Sequence, residues 1–156
     1  MIKKTIKKII RYCQSPFVIG DYYKFKKNNQ RFTLLFRDIY PCIFDKTIKT
    51  GFDAHYIYHT AWAARKVKVI NPIRHIDISS SLYFSSIVSA FVGVDFYDYR
   101  PPNLKLSNLR VAHTDLNKLH FQDSSLESVS CMHTVEHVGL GRYGDPIDSE
   151  GDLKSI

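Results

Sequence analysis

Ser128-Val-Ser-Cys-Met-His-Thr-Val-Glu-His137, followed by Gly139-Leu-Gly-Arg-Tyr-Gly-Asp145, is the stretch whose reading decides the fold. Residues 126–132 alternate in part between apolar and polar side chains, the pattern of a half-buried strand. At His133 the alternation ends, and the chain turns into a helix or loop before the glycine-rich segment 139–145. A strand that ends on a histidine and opens into a polar loop is what the ligand-facing edge of an α/β sheet requires.

Upstream, the same architecture repeats. Residues 53–69 read as a helix with Asp53 as N-cap and Tyr56, Ile57, Thr60, Ala61, Ala64 and Val67 on one stripe. Pro72 ends the connection, 75–79 reads as a strand, 82–90 as a helix and 91–97 as a second strand. After the turn Arg100-Pro-Pro102, residues 109–113 form a third strand, which makes 126–132 the fourth. Strands joined by short crossovers predict an α/β, Rossmann-like domain with a largely parallel sheet. The expected division is a basic N-terminal helical extension, 1–52, and an α/β domain, 53–156.

Composition limits what else the chain can be. With 156 residues, 44% of them apolar, there is material for one buried core. Ten Tyr and ten Phe argue against disorder over most of the length. No apolar run approaches the ~20 residues of a spanning helix. Cys13, Cys42 and Cys131 are isolated, forming neither a metal knuckle nor a disulfide framework. Met1 to Arg11 lacks the continuous apolar core of a secretory signal, so a cytoplasmic setting is expected.

The net charge of +7 is concentrated in residues 1–31, where nine Lys or Arg face one acid, Asp21. There Ile2, Ile6, Ile9, Ile10 and Cys13 recur at helical spacing, with Lys3, Lys4, Lys7, Lys8 and Arg11 opposite. Such a helix is too short to stand alone in water, so it must dock. It either packs on its own domain or lies on an anionic membrane surface, which would make the protein peripheral at the membrane. Tyr22, Tyr23, Phe25 and Phe32 interleave with Lys24, Lys26, Lys27 and Arg31, but no nucleic-acid module accompanies them, and nucleic acid is not expected as a partner.

Ligands of open α/β sheets sit at the carboxyl ends of the strands, where strand order reverses. That rule selects Asp77, Ser79, Ser80 and Ser81 after the first strand, and Asp98 after the second, 21 residues beyond Asp77. An acid at about this spacing accepts from ribose hydroxyls in dinucleotide sites. Asp115 follows the third strand, and His133, Glu136 and His137 follow the fourth.

These residues resemble class I S-adenosylmethionine (SAM) methyltransferases. His75-Ile-Asp-Ile-Ser-Ser-Ser81 stands where that superfamily carries its glycine-rich first motif, and Val94-Asp-Phe-Tyr-Asp98 matches the second strand with its ribose-binding acid. Thr114-Asp-Leu-Asn-Lys-Leu-His-Phe121 resembles the segment with the adenine-side acid, and 128–137 the fourth strand and its continuation. More narrowly, the loop 139–145 and His55-Tyr-Ile-Tyr-His-Thr-Ala-Trp-Ala-Ala-Arg65 are similar to an uncharacterised bacterial and nematode family placed in this superfamily. The resemblance implies SAM as cofactor, held by Asp77, Ser79, Ser80, Ser81, Asp98 and Asp115. It implies methyl transfer to a hydroxyl of a small molecule or saccharide. His133 is then the base, supported by His137, and Arg142 meets an anionic acceptor. Two departures stand out. Serines replace the glycines of the first motif, although a left-handed turn costs serine about 1 kcal/mol or more. The superfamily's strands five to seven would follow Ile156, so the chain reads as either a truncated reading frame or a fragment, and as an enzyme only if the half-sheet can work alone.

Two further readings follow from the residues. A domain without a working first motif could serve as a binding or scaffold module, with the basic helix as its contact. His133-Thr-Val-Glu-His137 also fits the H-x-x-E-H pattern of zinc peptidases, in which both histidines share a helix face and Glu136 is the base. His55 and His59 could complete such a site, but the intervening Tyr-Ile-Tyr reads as buried packing, and no metal is expected.

Overall fold

Four parallel strands, β1 (Arg74–Ile78), β2 (Gly93–Asp98), β3 (Leu109–His113) and β4 (Val129–Ser130), pair in the order β3-β2-β1-β4. The structure is a computed structural model that describes residues 15–40, 42, 45 and 47–156. The expected amphipathic helix at 2–13 lies outside the described residues. The helices are α1 (Ser15–Asn28), α2 (Ala54–Ile70), α3 (Leu82–Val88) and α4 (Gly151–Lys154). The architecture is thus the expected α/β, Rossmann-like one, with strand order reversing between β1 and β4. Among the described residues, no helix is long and apolar enough to cross a membrane.

The chain divides into two compact units, Met1–Gly51 and Phe52–Ile156. In the first, α1 buries Tyr22, whose ring meets Tyr23 and Phe36 edge-on, at 5.4 and 5.8 Å between centroids. Phe25 and Phe32 pair at 6.0 Å. Tyr23, Phe25, Phe32 and Phe36 nonetheless stay more than half exposed.

In the second unit, register assigns the sheet's two faces. His75 lies opposite Val94, and Asp77 opposite Phe96, while Val94 and Phe96 lie opposite Leu109 and Val111. This face packs on α2 through Ala63 and Val67 and on α3 through Phe84 and Val88. The other face carries Ile76 and Ile78, with the forked ion pair of Arg74 and Asp95 beside them. Asp53 caps α2 by accepting from Tyr56 N at 3.1 Å, as its position predicts. The stripe predicted for α2 is met in its second half, where Val67 is buried and Ala64 packs on the core, and missed in its first turn. Tyr56 and Ile57 are exposed, while Ala63 and Val67 face the core. Helical period alone could not tell which of two apolar faces would be covered, because α2 is apolar on most sides.

β4 is shorter than expected and pairs with β1 through only Ile76↔Val129 and Asp77↔Ser130. Side chains supply what the ladder lacks. Ser130 Oγ donates to Asp77 Oδ1 at 2.7 Å, which leaves its lone pairs to accept from His75 Nε2–H at 2.9 Å. His75 Nδ1 then accepts from Ser128 Oγ at 2.8 Å, and Ser85 Oγ donates to Asp77 Oδ2. His75 and Asp77 are 1% and 0% exposed, so these bonds replace water entirely. Burial lowers the His75 pKa, which favours the neutral ring that this donor order needs.

Two outcomes test the network. Ser130→Ala leaves both Asp77 and His75 short of a buried partner and should cost about 1–3 kcal/mol in urea unfolding. Burial raises the Asp77 pKa above the ordinary 3.8, against the opposing hydroxyls of Ser80, Ser85 and Ser130. The folded state therefore binds the Asp77 proton more tightly. The Asp77 contribution to stability is fullest below 3.8 and declines as pH rises towards the raised value. Asp77→Asn should abolish that decline in a pH series of melts.

Candidate functional site

At the carboxyl ends of the strands the loops after β1, β2, β3 and β4 enclose an open cleft of about 220 Å³. Ser79 comes from β1, Asp98 and Arg100 from the end of β2, Thr114 and Asp115 from the end of β3, and His133 and His137 from beyond β4. The long loop closes one side with Tyr143 and Asp145. Of the residues chosen from sequence, Ser79, Asp98, Asp115, His133 and His137 come together here.

Ser79 adopts φ +53°, the left-handed conformation for which glycine is the usual residue. The cost is offset by clamps on both sides. Ser79 N donates to Tyr97 O at 2.7 Å, and Thr134 Oγ1 donates to Ser79 O at 3.0 Å. A serine thus makes the turn expected of a glycine. Asp98 Oδ1 accepts from Arg100 N at 2.7 Å, and its carbonyl accepts from Thr114 N at 3.1 Å. Asp115 accepts from Asn117 N at 2.9 Å, capping the 3-10 turn Leu116–Lys118. Between them Thr114, 4% exposed, has a hydroxyl with no hydrogen-bond partner among the described residues.

Four residues expected at the ligand do not line the cleft. Asp77 lies on the helix-covered face of β1, where α3 and β4 bury it, so it is a structural anchor. Ser80 is turned inward and accepts from Met132 N at 3.0 Å. Ser81 occupies the N-cap position of α3 without capping through its side chain. Arg142 is exposed and rests over the Tyr143 ring at 5.0 Å, outside the lining. The cation in the cleft is Arg100, whose guanidinium stands 4.7 Å from the centre of the same ring. Its place two residues beyond the strand-end Asp98 is the sequence signal that marks it.

The two histidines of the cleft make different contacts. His137 closes the 3-10 turn Val135–His137 and lines the cleft, with its ring 6.2 Å from that of Tyr143. His133 precedes that turn at φ +59°, so the two do not share a helix face as the H-x-x-E-H reading requires. Instead His133 Nε2 lies 2.5 Å from His55 Nε2, while its Nδ1 faces Glu136 Oε1 at 3.5 Å. His59, one turn along α2, brings a ring nitrogen within 4.8 Å of both. Tyr56, Ile57 and Tyr58, expected to be buried, are 48%, 53% and 67% exposed, which opens this side of α2.

The long loop is held from within. Asp145 accepts from the backbone N–H groups of Gly139, Gly141 and Tyr143 at 2.9, 3.3 and 3.1 Å. Gly139, at φ +85°, crosses the backbone so closely that a Cβ would stand 2.1 Å from Asp148 O. Desolvation works to raise the Asp145 pKa, but the N–H groups of Tyr143, Gly139 and Gly141 together hold it below 3.8.

Residues 103–156 match the model of a family described as Caenorhabditis protein of unknown function, DUF268. That segment contains β3, β4 and the long loop, and so much of the cleft. No curated protein and no solved structure matches the chain.

Because the Asp145 pKa is depressed on folding, its hold on the loop is complete above 3.8 and is lost as pH falls through the lower folded value. Amide exchange at Gly139, Gly141 and Tyr143 should accelerate over that window. Asp145→Ala should give the fast rates already at neutral pH.

Proposed function

We propose that the cleft binds the nucleoside part of SAM and that the chain is a methyltransferase-type domain for a hydroxyl of a small molecule or saccharide. The observation that carries the reading is the Thr114 hydroxyl, buried between Asp98 and Asp115 at the carboxyl edge of the sheet with no partner among the described residues. A buried polar atom without a partner costs free energy, and a ligand group removes that cost. Residues of the cleft fit the cofactor's chemistry. Asp98 offers a carboxylate to ribose hydroxyls, Asp115 and Asn117 stand on the neighbouring side, and the left-handed Ser79 turn allows close backbone approach.

The bound cofactor supplies a methyl group on a sulfonium, ready for in-line displacement. What remains for the protein is to orient the acceptor and receive its proton. His137 is placed for the second task, because it lines the cleft. Both ring nitrogens of His133 are already directed at His55 and Glu136, which moves the role of base to His137. Arg100, steadied on Tyr143, can meet an anionic group of the acceptor.

Calorimetric titration with SAM and S-adenosylhomocysteine tests the reading. Saturable binding is expected, and Asp98→Ala should weaken it roughly 10- to 100-fold by removing a charged hydrogen-bond acceptor. A folded chain that binds neither compound leaves the domain as a non-catalytic binding module.

A further inference from the structure

We propose that His55, His59 and His133 form a tri-histidine site for a divalent transition-metal ion, best suited to zinc, at the margin of the cleft, which His133 also lines, and not dependent on its nucleotide. One ring nitrogen from each residue lies within 4.8 Å of the others. Ring centroids are 4.2 Å apart for His55 and His133, 4.6 Å for His59 and His133, and 4.9 Å for His55 and His59. Three imidazoles at these distances compete for one small volume, and at most one shared proton can relieve a pair. A cation relieves all three.

The geometry is close to what such an ion needs. Zinc–nitrogen bonds of about 2.0–2.1 Å in a tetrahedron place neighbouring nitrogens ~3.3 Å apart. His55 Nε2 and His133 Nε2 are at 2.5 Å, and no pair of ligand atoms is beyond 4.8 Å. Side-chain shifts on the order of 1 Å complete the site. His55 and His59 are four residues apart on α2, so one helix face presents both.

The outer partners point the same way. A metal-bound histidine usually donates its other ring N–H to a carboxylate or a carbonyl, which fixes the tautomer. His59 Nδ1 lies 2.6 Å from His55 O, an arrangement that holds its proton there and leaves Nε2 with a lone pair. His133 Nδ1 faces Glu136 Oε1, leaving Nε2 for the shared point. Glu136 is therefore a positioning residue acting through His133, not a ligand.

Ligand type selects the metal. Three imidazoles without a carboxylate suit zinc and its neighbours and do not suit calcium or magnesium, which take oxygen. With three protein ligands, a fourth position remains for water or an exogenous group, on the side where Tyr58 and Trp62 are exposed.

The test uses the full chain without an affinity tag, stripped with a chelator and titrated with zinc chloride, then with cobalt(II) chloride as a spectroscopic probe. One equivalent of zinc, a raised melting temperature and the intense visible absorption of tetrahedral cobalt are expected. His55→Ala, His59→Ala and His133→Gly should each weaken zinc binding more than tenfold, and Glu136→Gln roughly tenfold. His133→Gly suits the left-handed backbone, so it removes the ring without loss of fold. His113→Ala and His120→Ala should change nothing. Imidazole NMR of the unaltered chain gives a second readout, in which zinc should shift His55, His59 and His133 alone. Binding that survives all three ligand substitutions, zinc shifts spread over other histidines, or no binding at all overturns the proposal.

Discussion

The hydrogen-bonded chain from Ser128 through His75 and Ser130 to Asp77 holds the working edge of the sheet together. A parallel ladder of two residue pairs is a weak attachment, yet β4 carries His133, Thr134 and the loop beyond. The buried side chains fasten β4 to β1 where strand order reverses, and Ser80 extends the same cluster to Met132 N. In a low-dielectric interior these bonds are strong when complete and costly when broken, so they fix register more sharply than apolar contacts would. Everything that faces the cleft from β1 and β4 inherits its position from them.

Backbone conformation on the two lips of that crevice is unusual in the same way. Ser79 after β1 and His133 after β4 are both left-handed without being glycine. Strain of this sort persists only where surrounding structure over-determines it. For Ser79 the determining contacts are Tyr97 O and the Thr134 hydroxyl, the latter reaching from one lip to the other. The two loops therefore set each other's shape.

Much of this was legible in the sequence. β3 was read at its observed bounds, and β1, β2 and α3 within two residues of theirs, because apolar runs bounded by Pro, Gly and Ser clusters have few alternatives. Asp98 and Asp115 were found by the topological rule, which depends on strand ends alone. The site residues missed are those whose surroundings are set by tertiary structure. Asp77 sits at a strand end in the sequence, but only the sheet's face decides whether its carboxylate meets ligand or core. The tri-histidine cluster joins residues 78 positions apart, and no local pattern ties α2 to the loop after β4. α1 went unread because its aromatic and basic residues lack a clean helical stripe.

The pairing of Ile76 with Val129 also has a kinetic meaning. β1, β2 and β3 contact one another over modest separations, whereas β4 must return across more than fifty residues to reach β1. Once β1, β2 and β3 are paired, the segment left to close is 114–128, and its closure is met by only two ladder pairs and a buried polar chain that gains nothing until it is complete. Docking of β4 is expected in the late part of folding, after the three-stranded core and its helices exist. The cleft, whose walls come from both sides of that junction, is then expected among the last features of the domain to form.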